Sequence, residues 1–457
     1  MIDRRQFGGG LAALAFLGLA RRGQAWTRVQ ADGSAVPPAY RSEVPGYGPL
    51  VPDPAGYFDL PAGFRYSIVS SAGEAMDDGY VTPGKFDGMA CFGLGGSRVV
   101  LVRNHELGRR EQALGPAGGL ARLEERLRGE ACYGRDLEGR VLPGGTSTIV
   151  YDLRRGRRER HYLSLAGTAV NCAGGATPWG SWLSCEEIVY GRETVAQEHG
   201  WVFEVPARLR GLADPRPLTA LGRFKHEAAA VDPATGIVYL TEDQPDSLFY
   251  RMVPEVRGQL HRGGRLQALA LRDRPGADTR NWEDRWFSPG EARDAHWIDL
   301  DETASPNDDL RMRGRAAGAA IFARGEGVHW AGDSLYFCCT SGGAARHGQI
   351  MRYRPGRARL ELFVESADRL LLDYADNLTA TPWGHLIVCE DIAGAVRPNH
   401  LKGVTPEGRI YTLARLNVRT ELAGVCFSPD ARTLFVNAYD PGRTLAITGP
   451  WRRFRGA

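Results

Sequence analysis

Apolar residues recur along the chain in short runs, each cut off by a turn: "FRYSIVS" (64–70), "SRVVLVRNHE" (97–106), "TSTIVYDL" (146–153), "GIVYLTED" (236–243), "SLYFCCTS" (334–341), "GRIYTLAR" (408–415) and "RTLFVNAY" (432–439) among them. Runs this short and this rich in Val, Ile, Tyr and Phe predict β-strands. They continue down the whole chain, so the pattern predicts an all-β array. Turn signals such as "DPATG" (232–236), "TPEG" (405–408) and "SPDA" (428–431) fall between them. Punctuation of that kind is what propeller blades show.

Two stretches break the rhythm. Residues 112–130, "QALGPAGGLARLEERLRGE", predict a helix, and residues 255–320 read as a long Arg- and Asp-rich insertion with little alternation. A propeller carries such segments as loops or lids over one face, where binding residues gather. The tail is strand-like to "TLAITGPW" and is expected to close the ring by completing the first blade.

The first 25 residues stand apart, with Arg4 and Arg5 ahead of a short Gly/Ala/Leu run and a small-residue end at Ala25. That order predicts a twin-arginine export signal, a periplasmic or extracellular mature chain from residue 26 to 457, and the twin-arginine translocase as a transient partner. The run Gly8–Ala20 is too short for a comfortable membrane span, so no stable membrane anchor is expected. The leader holds four Arg and one Asp; without it the 57 Lys and Arg and the 54 Asp and Glu fall to 53 of each. A neutral chain is not built to coat nucleic acid. The eight cysteines form no CxxC pair and no regular disulfide framework, and a folded-state export route agrees with a metal loaded before secretion.

The chemistry concentrates at strand ends. "TPWGSWLSCEE" (177–187) and "TPWGHLIVCED" (381–391) share one register and finish on Cys185, Glu186, Glu187 and on Cys389, Glu390, Asp391. Further clusters hold Asn104, His105 and Glu106; His226 and Glu227; Glu242 and Asp243; Glu326; and Asp376 with Asn377. One acid at a strand end is usually a solvated edge. Clusters spread through a ring-forming chain differ, because a propeller points corresponding strand ends at a common axis. Carboxylates meeting there repel unless cations neutralise them. Hard ions such as Ca²⁺ take carboxylate oxygens, whereas a thiolate among carboxylates suits a transition metal, Fe³⁺ in particular. A mixed metal site follows, with Cys185 as candidate soft ligand flanked by the hard ligands Glu186 and Glu187; for Cys389 a ligand role and a buried structural thiol stay open alike.

With these motifs in hand the chain resembles the secreted PhoX-type alkaline phosphatases. The resemblance rests on "DGMACF", "LVRNHE", "NCAGGATPWGSWLSCEE", "GRFKHEAAAVDPATGIVYLTED", "GEGVHW", "DNLTATPWGHLIVCED", "GVTPEGRIY" and "CFSPDARTLFVNAYDPGRTLAITGPW" and spans essentially the whole mature chain. It implies a six-bladed propeller whose axial Fe³⁺ and Ca²⁺ ions hydrolyse small-molecule phosphate monoesters. Residue by residue it implies Cys185 as the iron thiolate ligand, with Glu186, Glu227 and Glu390 as carboxylate ligands and Glu106, Glu187, Asp243, Glu326 and Asp391 as further ones. Lys225, His226 and Arg397 are the candidates to face the phosphate or leaving group. The stretches "CEDIAGAVRPNH" and "LARLNV" depart from the family pattern at loops that the resemblance implies as a border of the substrate, which bears on substrate preference more than on metal binding.

No GxSxG elbow, P-loop or HExxH motif occurs, which speaks against serine-hydrolase, nucleotide-switch and zinc-protease chemistry. Two alternatives stay open: a calcium-dependent lactonase or arylesterase propeller, and a non-catalytic propeller held by structural calcium. The expected state is a monomer.

Overall fold

The computed structural model describes residues 40–392 and 397–454. The export leader and its cleavage point lie outside the described residues. The strand Arg98–His105 shows why the apolar runs are continuous: its side chains are buried on both faces from Val99 onward. Successive residues of a strand point to opposite sides. Val99 and Leu101 pack with Tyr151, Cys426 and Phe435, whereas Val100 and Val102 pack with Trp182, Phe203 and Val205. A sheet wedged between two others needs apolar residues at both parities.

The chain is all-β and propeller-like. The strands Phe86–Gly95, Asn171–Ala176, His226–Val231, Gly325–Ala331, Ala375–Ala380 and Leu422–Phe427 are the inner strands. Each packs beside the next, and the last packs against the first. Apolar layers fill the wedges between the sheets behind them.

Six discrete blades are not what the hydrogen bonding gives. Among the described residues it gives five sheets, of six, three, nine, four and four strands. The difference comes from Ala292–Asp299, which pairs with Gly264–Leu271 on one side and with Arg359–Glu361 on the other, and so fuses what would be two sheets. That strand lies in the stretch 255–320 expected to be an insertion. The same stretch also supplies Gly264–Leu271 and the helix Leu310–Ala316. Its alternation is weak because Leu266–Leu271 is buried on both faces.

Ring closure also runs the other way round from expectation. The early strand Arg65–Ser71 completes the last sheet by pairing with Arg443–Thr448, so residues from both ends of the described chain share one sheet. The helix expected within 112–130 is Ala121–Arg128, with Leu123 and Leu127 buried one turn apart against Met76, Tyr80 and Val141. No helix among the described residues is long and apolar enough to cross a membrane.

Candidate metal centre

Each inner strand slips register against its neighbour near its start: between Phe86 and Met89, Asn171 and Gly174, His226 and Ala229, Gly325 and Val328, Ala375 and Leu378, and Ala423 and Cys426. A β-bulge re-aims the side chain it carries. The first residues inside these bulges are Asp87, Cys172, Glu227, Glu326, Asp376 and Gly424. Ligand atoms of Cys172, Glu187 and Glu227 lie within 4.8 Å of one another, as do those of Glu227, Glu326 and Asp376, and those of Asp87, Glu106 and Glu421. Glu227 belongs to two of the three groups and joins them.

The inner strands approach closely at this level. A Cβ on Gly88 would stand 2.5 Å from Ala173 Cα, and one on Gly327 2.8 Å from Asn377 Cα. Small residues after the bulge acids are therefore a steric requirement. Farther along, the same strands enclose an apolar channel of about 420 Å³ lined by Met89, Ala228, Val328 and Val425.

The second strand of each sheet contributes through parity. Glu186, Glu242 and Glu390 end their strands and turn back into the sheets. The Glu186 carboxylate accepts from His199 Nδ1 (2.6 Å) and from the Ala169 and Gly200 amides (both 2.9 Å). Glu242 accepts from the Tyr250 hydroxyl (2.8 Å), and Glu390 from His400 Nδ1 (2.8 Å). One residue later the side chain points the opposite way, and Glu106, Glu187, Asp243 and Asp391 enter the cluster.

Burial, and then mutual repulsion, pushes the carboxyls of Asp87, Glu187, Glu227, Glu326, Asp376 and Glu421 well above their ordinary range. Glu106 is raised to about 7, with burial the leading cause and the Tyr439 hydroxyl, which donates to it, opposing. The Arg324 guanidinium stands among these acids, donating to both oxygens of Asp243 (2.7 and 2.9 Å) and to Glu326 (2.9 Å). Buried carboxylates at this density, with one thiol, are a donor set that multivalent cations would neutralise.

The sequence model of the alkaline phosphatase PhoX family matches residues 45–442. The chain belongs to this family. Among solved structures, PhoX of Pseudomonas fluorescens in complex with vanadate, a transition-state analogue, superposes with a TM-score of 0.63 at 19% identity, over 86% of this chain and 96% of that one. A gluconolactonase of Xanthomonas campestris gives a TM-score of 0.41 at 14% identity, over 88% and 98%. A search of the curated proteins found none similar in sequence. As a PhoX-family member the chain is a phosphoric monoester hydrolase.

In this PhoX-family chain the structure brings together six residues singled out from sequence: Glu106, Glu187, Glu227, Asp243, Glu326 and Asp391. It places Cys185, Glu186 and Glu390 elsewhere. Cys185 shares parity with Leu183 and lies in the apolar layer with Val202, Leu240 and Tyr250. Burial pushes its thiol up, as it does that of Cys172, so position and not titration separates the two. His226 packs against Phe224 with its ring tilted (centroids 3.7 Å apart, 32° between planes) and its Nε2 on the Gly222 carbonyl (2.9 Å), and burial lowers it to about 3. It is therefore neutral and enclosed. Arg397 forms an ion pair with the buried Asp373. Lys225 is half-buried just ahead of the strand His226–Val231.

Sequence reasoning did not select Asp87, Cys172, Glu421 or Arg324, and it noted Asp376 at a strand end without carrying it into the ligand set. The signal was present for four of the bulges as an acid or Cys followed by Gly or Ala: Asp87-Gly88, Cys172-Ala173, Glu227-Ala228 and Glu326-Gly327.

Proposed function

We propose that the axial cluster is a centre of Fe³⁺ and Ca²⁺ at which this chain hydrolyses small-molecule phosphate monoesters. The observation that carries it is the set of inner-strand bulges, which turn one thiol and four carboxylates inward at one level. Cys172 with Glu187 and Glu227 would hold the iron, since that group alone offers sulfur. The all-carboxylate groups of Glu227, Glu326 and Asp376, and of Asp87, Glu106 and Glu421, suit calcium. When bound, such ions supply charge neutralisation at the phosphoryl oxygens and an activated oxygen nucleophile.

The chain's own groups position the ester. Arg324 has the planar fork that matches phosphate oxygens, and its side chain is 30% exposed, so a substrate can reach it. Tyr439 holds the Glu106 carboxylate by a hydrogen bond. Lys85 sits over the Tyr439 ring, 5.7 Å from its centre, and pairs with Glu111 at 2.6 Å, adding positive charge beside Glu106. Lys225 and Arg397 stay in the reading as charges at the rim.

We read the ring as six propeller units in one domain, residues 26–457. The six bulged inner strands and their cyclic packing support that count. The paired Arg4 and Arg5 support export by the twin-arginine route to the periplasm or beyond. N-terminal sequencing of secreted protein should begin near Trp26; Met1 would overturn the export reading.

Elemental analysis of the purified protein beside a p-nitrophenyl phosphate assay tests the centre. Iron and calcium together, with turnover abolished by a chelator, are expected. Calcium alone with lactone or arylester turnover would favour the lactonase reading, and calcium alone without turnover a binding propeller.

A further inference from the structure

Asn104, Cys185, Thr241, Cys338 and Cys389, each penultimate in its second strand, stand opposite the bulge of their own inner strand, and Asn437, penultimate likewise, pairs with Ala423 just before its bulge. All face the inner strand of the next sheet. Where that residue carries a hydrogen-bond donor, the donor reaches the backbone carbonyl of a bulge residue. Asn437 Nδ2 donates to the Asp87 carbonyl at 2.6 Å. Asn104 Nδ2 donates to the Cys172 carbonyl at 3.0 Å and to that of Ala173 at 2.7 Å. Thr241 Oγ1 donates to the Glu326 carbonyl at 2.6 Å.

Where Cys338 stands instead, the task passes to Thr340, whose hydroxyl donates to the carbonyl of Ala375, the residue before Asp376, at 2.7 Å. The donors are themselves fixed. Asn104 Oδ1 accepts from Trp182 Nε1 and Ser184 Oγ, both at 2.8 Å, and Asn437 Oδ1 accepts from Thr444 at 2.6 Å. Thr241 Oγ1 also accepts from the Ala228 amide at 3.0 Å.

A bulge leaves the ladder locally unpaired, and a buried carbonyl without a partner is costly. The side chain of one sheet therefore fixes the peptide that aims the next sheet's acid or thiol. We propose that Asn437, Asn104, Thr241 and Thr340 are positioning residues for the axial centre, the first three acting across a sheet boundary through a bulge carbonyl, Thr340 through the carbonyl just before one, and none touching the bound ions. The proposal rests on the reading of the cluster as a metal centre. It also gives the repeated Thr-Pro-Trp-Gly motif a meaning: Cys185 and Cys389 stand in the register of these donors, facing the neighbouring sheet rather than the axis.

The test uses the full chain stripped with a chelator and titrated with Ca²⁺ against a competing chelator of known affinity. Thr241→Val removes the hydroxyl at nearly constant shape, and Thr241→Ser restores it. Thr241→Val should weaken Ca²⁺ binding roughly 10- to 100-fold, the range for groups that orient a metal ligand, while KM for the phosphate ester stays at the wild-type value. Thr241→Ser should lie within about threefold of wild type on the same scale. Thr340→Val repeats the measurement at Asp376 should Thr241→Val not fold, and is expected to show the same weakening.

Equal Ca²⁺ affinity for wild type and a folded Val variant overturns the positioning role alone. A Ser variant as weak as the Val variant does the same. Wild-type protein that binds no Ca²⁺ overturns the metal centre and the positioning role together.

Discussion

The Cys172 thiol lies 3.9 Å from the backbone carbonyl of Cys185, yet the two side chains serve different parts of the molecule. Cys172 reaches Glu187 and Glu227 from its bulge, and Cys185 enters the apolar layer beside Leu183 and Val202. Their replacement by serine should separate the two roles. Cys172→Ser is expected to lose iron by more than the roughly 10- to 100-fold that outer groups cost, with phosphatase activity falling in step. Cys185→Ser should keep iron and activity and lose about 1–3 kcal/mol of stability to a buried hydroxyl. Iron content, turnover and denaturant midpoints of the two variants decide it; loss of iron from Cys185→Ser alone would reverse the assignment.

Arg324 carries a different consequence. Its guanidinium is the cation that bonds directly to the cluster acids Asp243 and Glu326. A charge-assisted contact to a phosphoryl oxygen is worth about 1.5–3 kcal/mol, so Arg324→Met should lower kcat/KM roughly 10- to 150-fold. Arg324→Lys keeps the charge without the fork and should recover only part of that. An unchanged kcat/KM in Arg324→Met would remove Arg324 from the substrate site.

Removing the metals should invert the usual dependence of stability on pH. A carboxyl whose folded pKa lies above its unfolded value binds more protons folded than unfolded, so stability falls as pH rises through the window between the two. Glu106 opens that window from its ordinary 4.5 to about 7, and burial carries Glu187, Glu227 and Glu326 upward as well. Chelator-stripped protein should melt at a lower temperature at about pH 8 than at about pH 5, and added Ca²⁺ should abolish the difference. Calorimetry at both values checks it; a melting temperature of the stripped protein that rises with pH would contradict the cluster's electrostatics.

Gly424 fills the one inner-strand bulge without a ligand side chain. Its φ is +60°, and a Cβ there would stand 2.4 Å from the Asp87 carbonyl and 2.6 Å from Asn437 Nδ2. Gly424→Ala should cost about 1–3 kcal/mol from overpacking, together with backbone strain at a left-handed position. Equilibrium denaturation should show it, and a midpoint equal to wild type would mean that the two sheets do not meet this closely.

His226, neutral and packed against Phe224, should take no part in proton transfer. His226→Asn should leave the acid limb of the pH profile of kcat in place, with any loss confined to stability. A shifted limb would restore His226 to the chemistry.

Much of this protein is determined by local sequence. Short apolar runs with turn residues between them fix an all-β chain, because period and punctuation are local properties. A run such as "RVVLVRNH" that is apolar at both parities already requires a sheet covered on both faces. That acids would gather was legible too, since they recur after strand after strand. Which acid of each pair faces the axis was not. Glu186 and Glu187 are adjacent and alike in sequence, and they separate only because successive side chains of a strand leave on opposite sides, one toward His199 and one toward Cys172. The thiol shows the same limit. Cys185 stands in the more suggestive motif, but Cys172 is aimed at the cluster by a bulge whose carbonyl accepts from Asn104 of the neighbouring sheet. Parity and bulge geometry are set by contacts between sheets far apart in the chain, so tertiary structure alone decided which acids and which thiol meet at the axis.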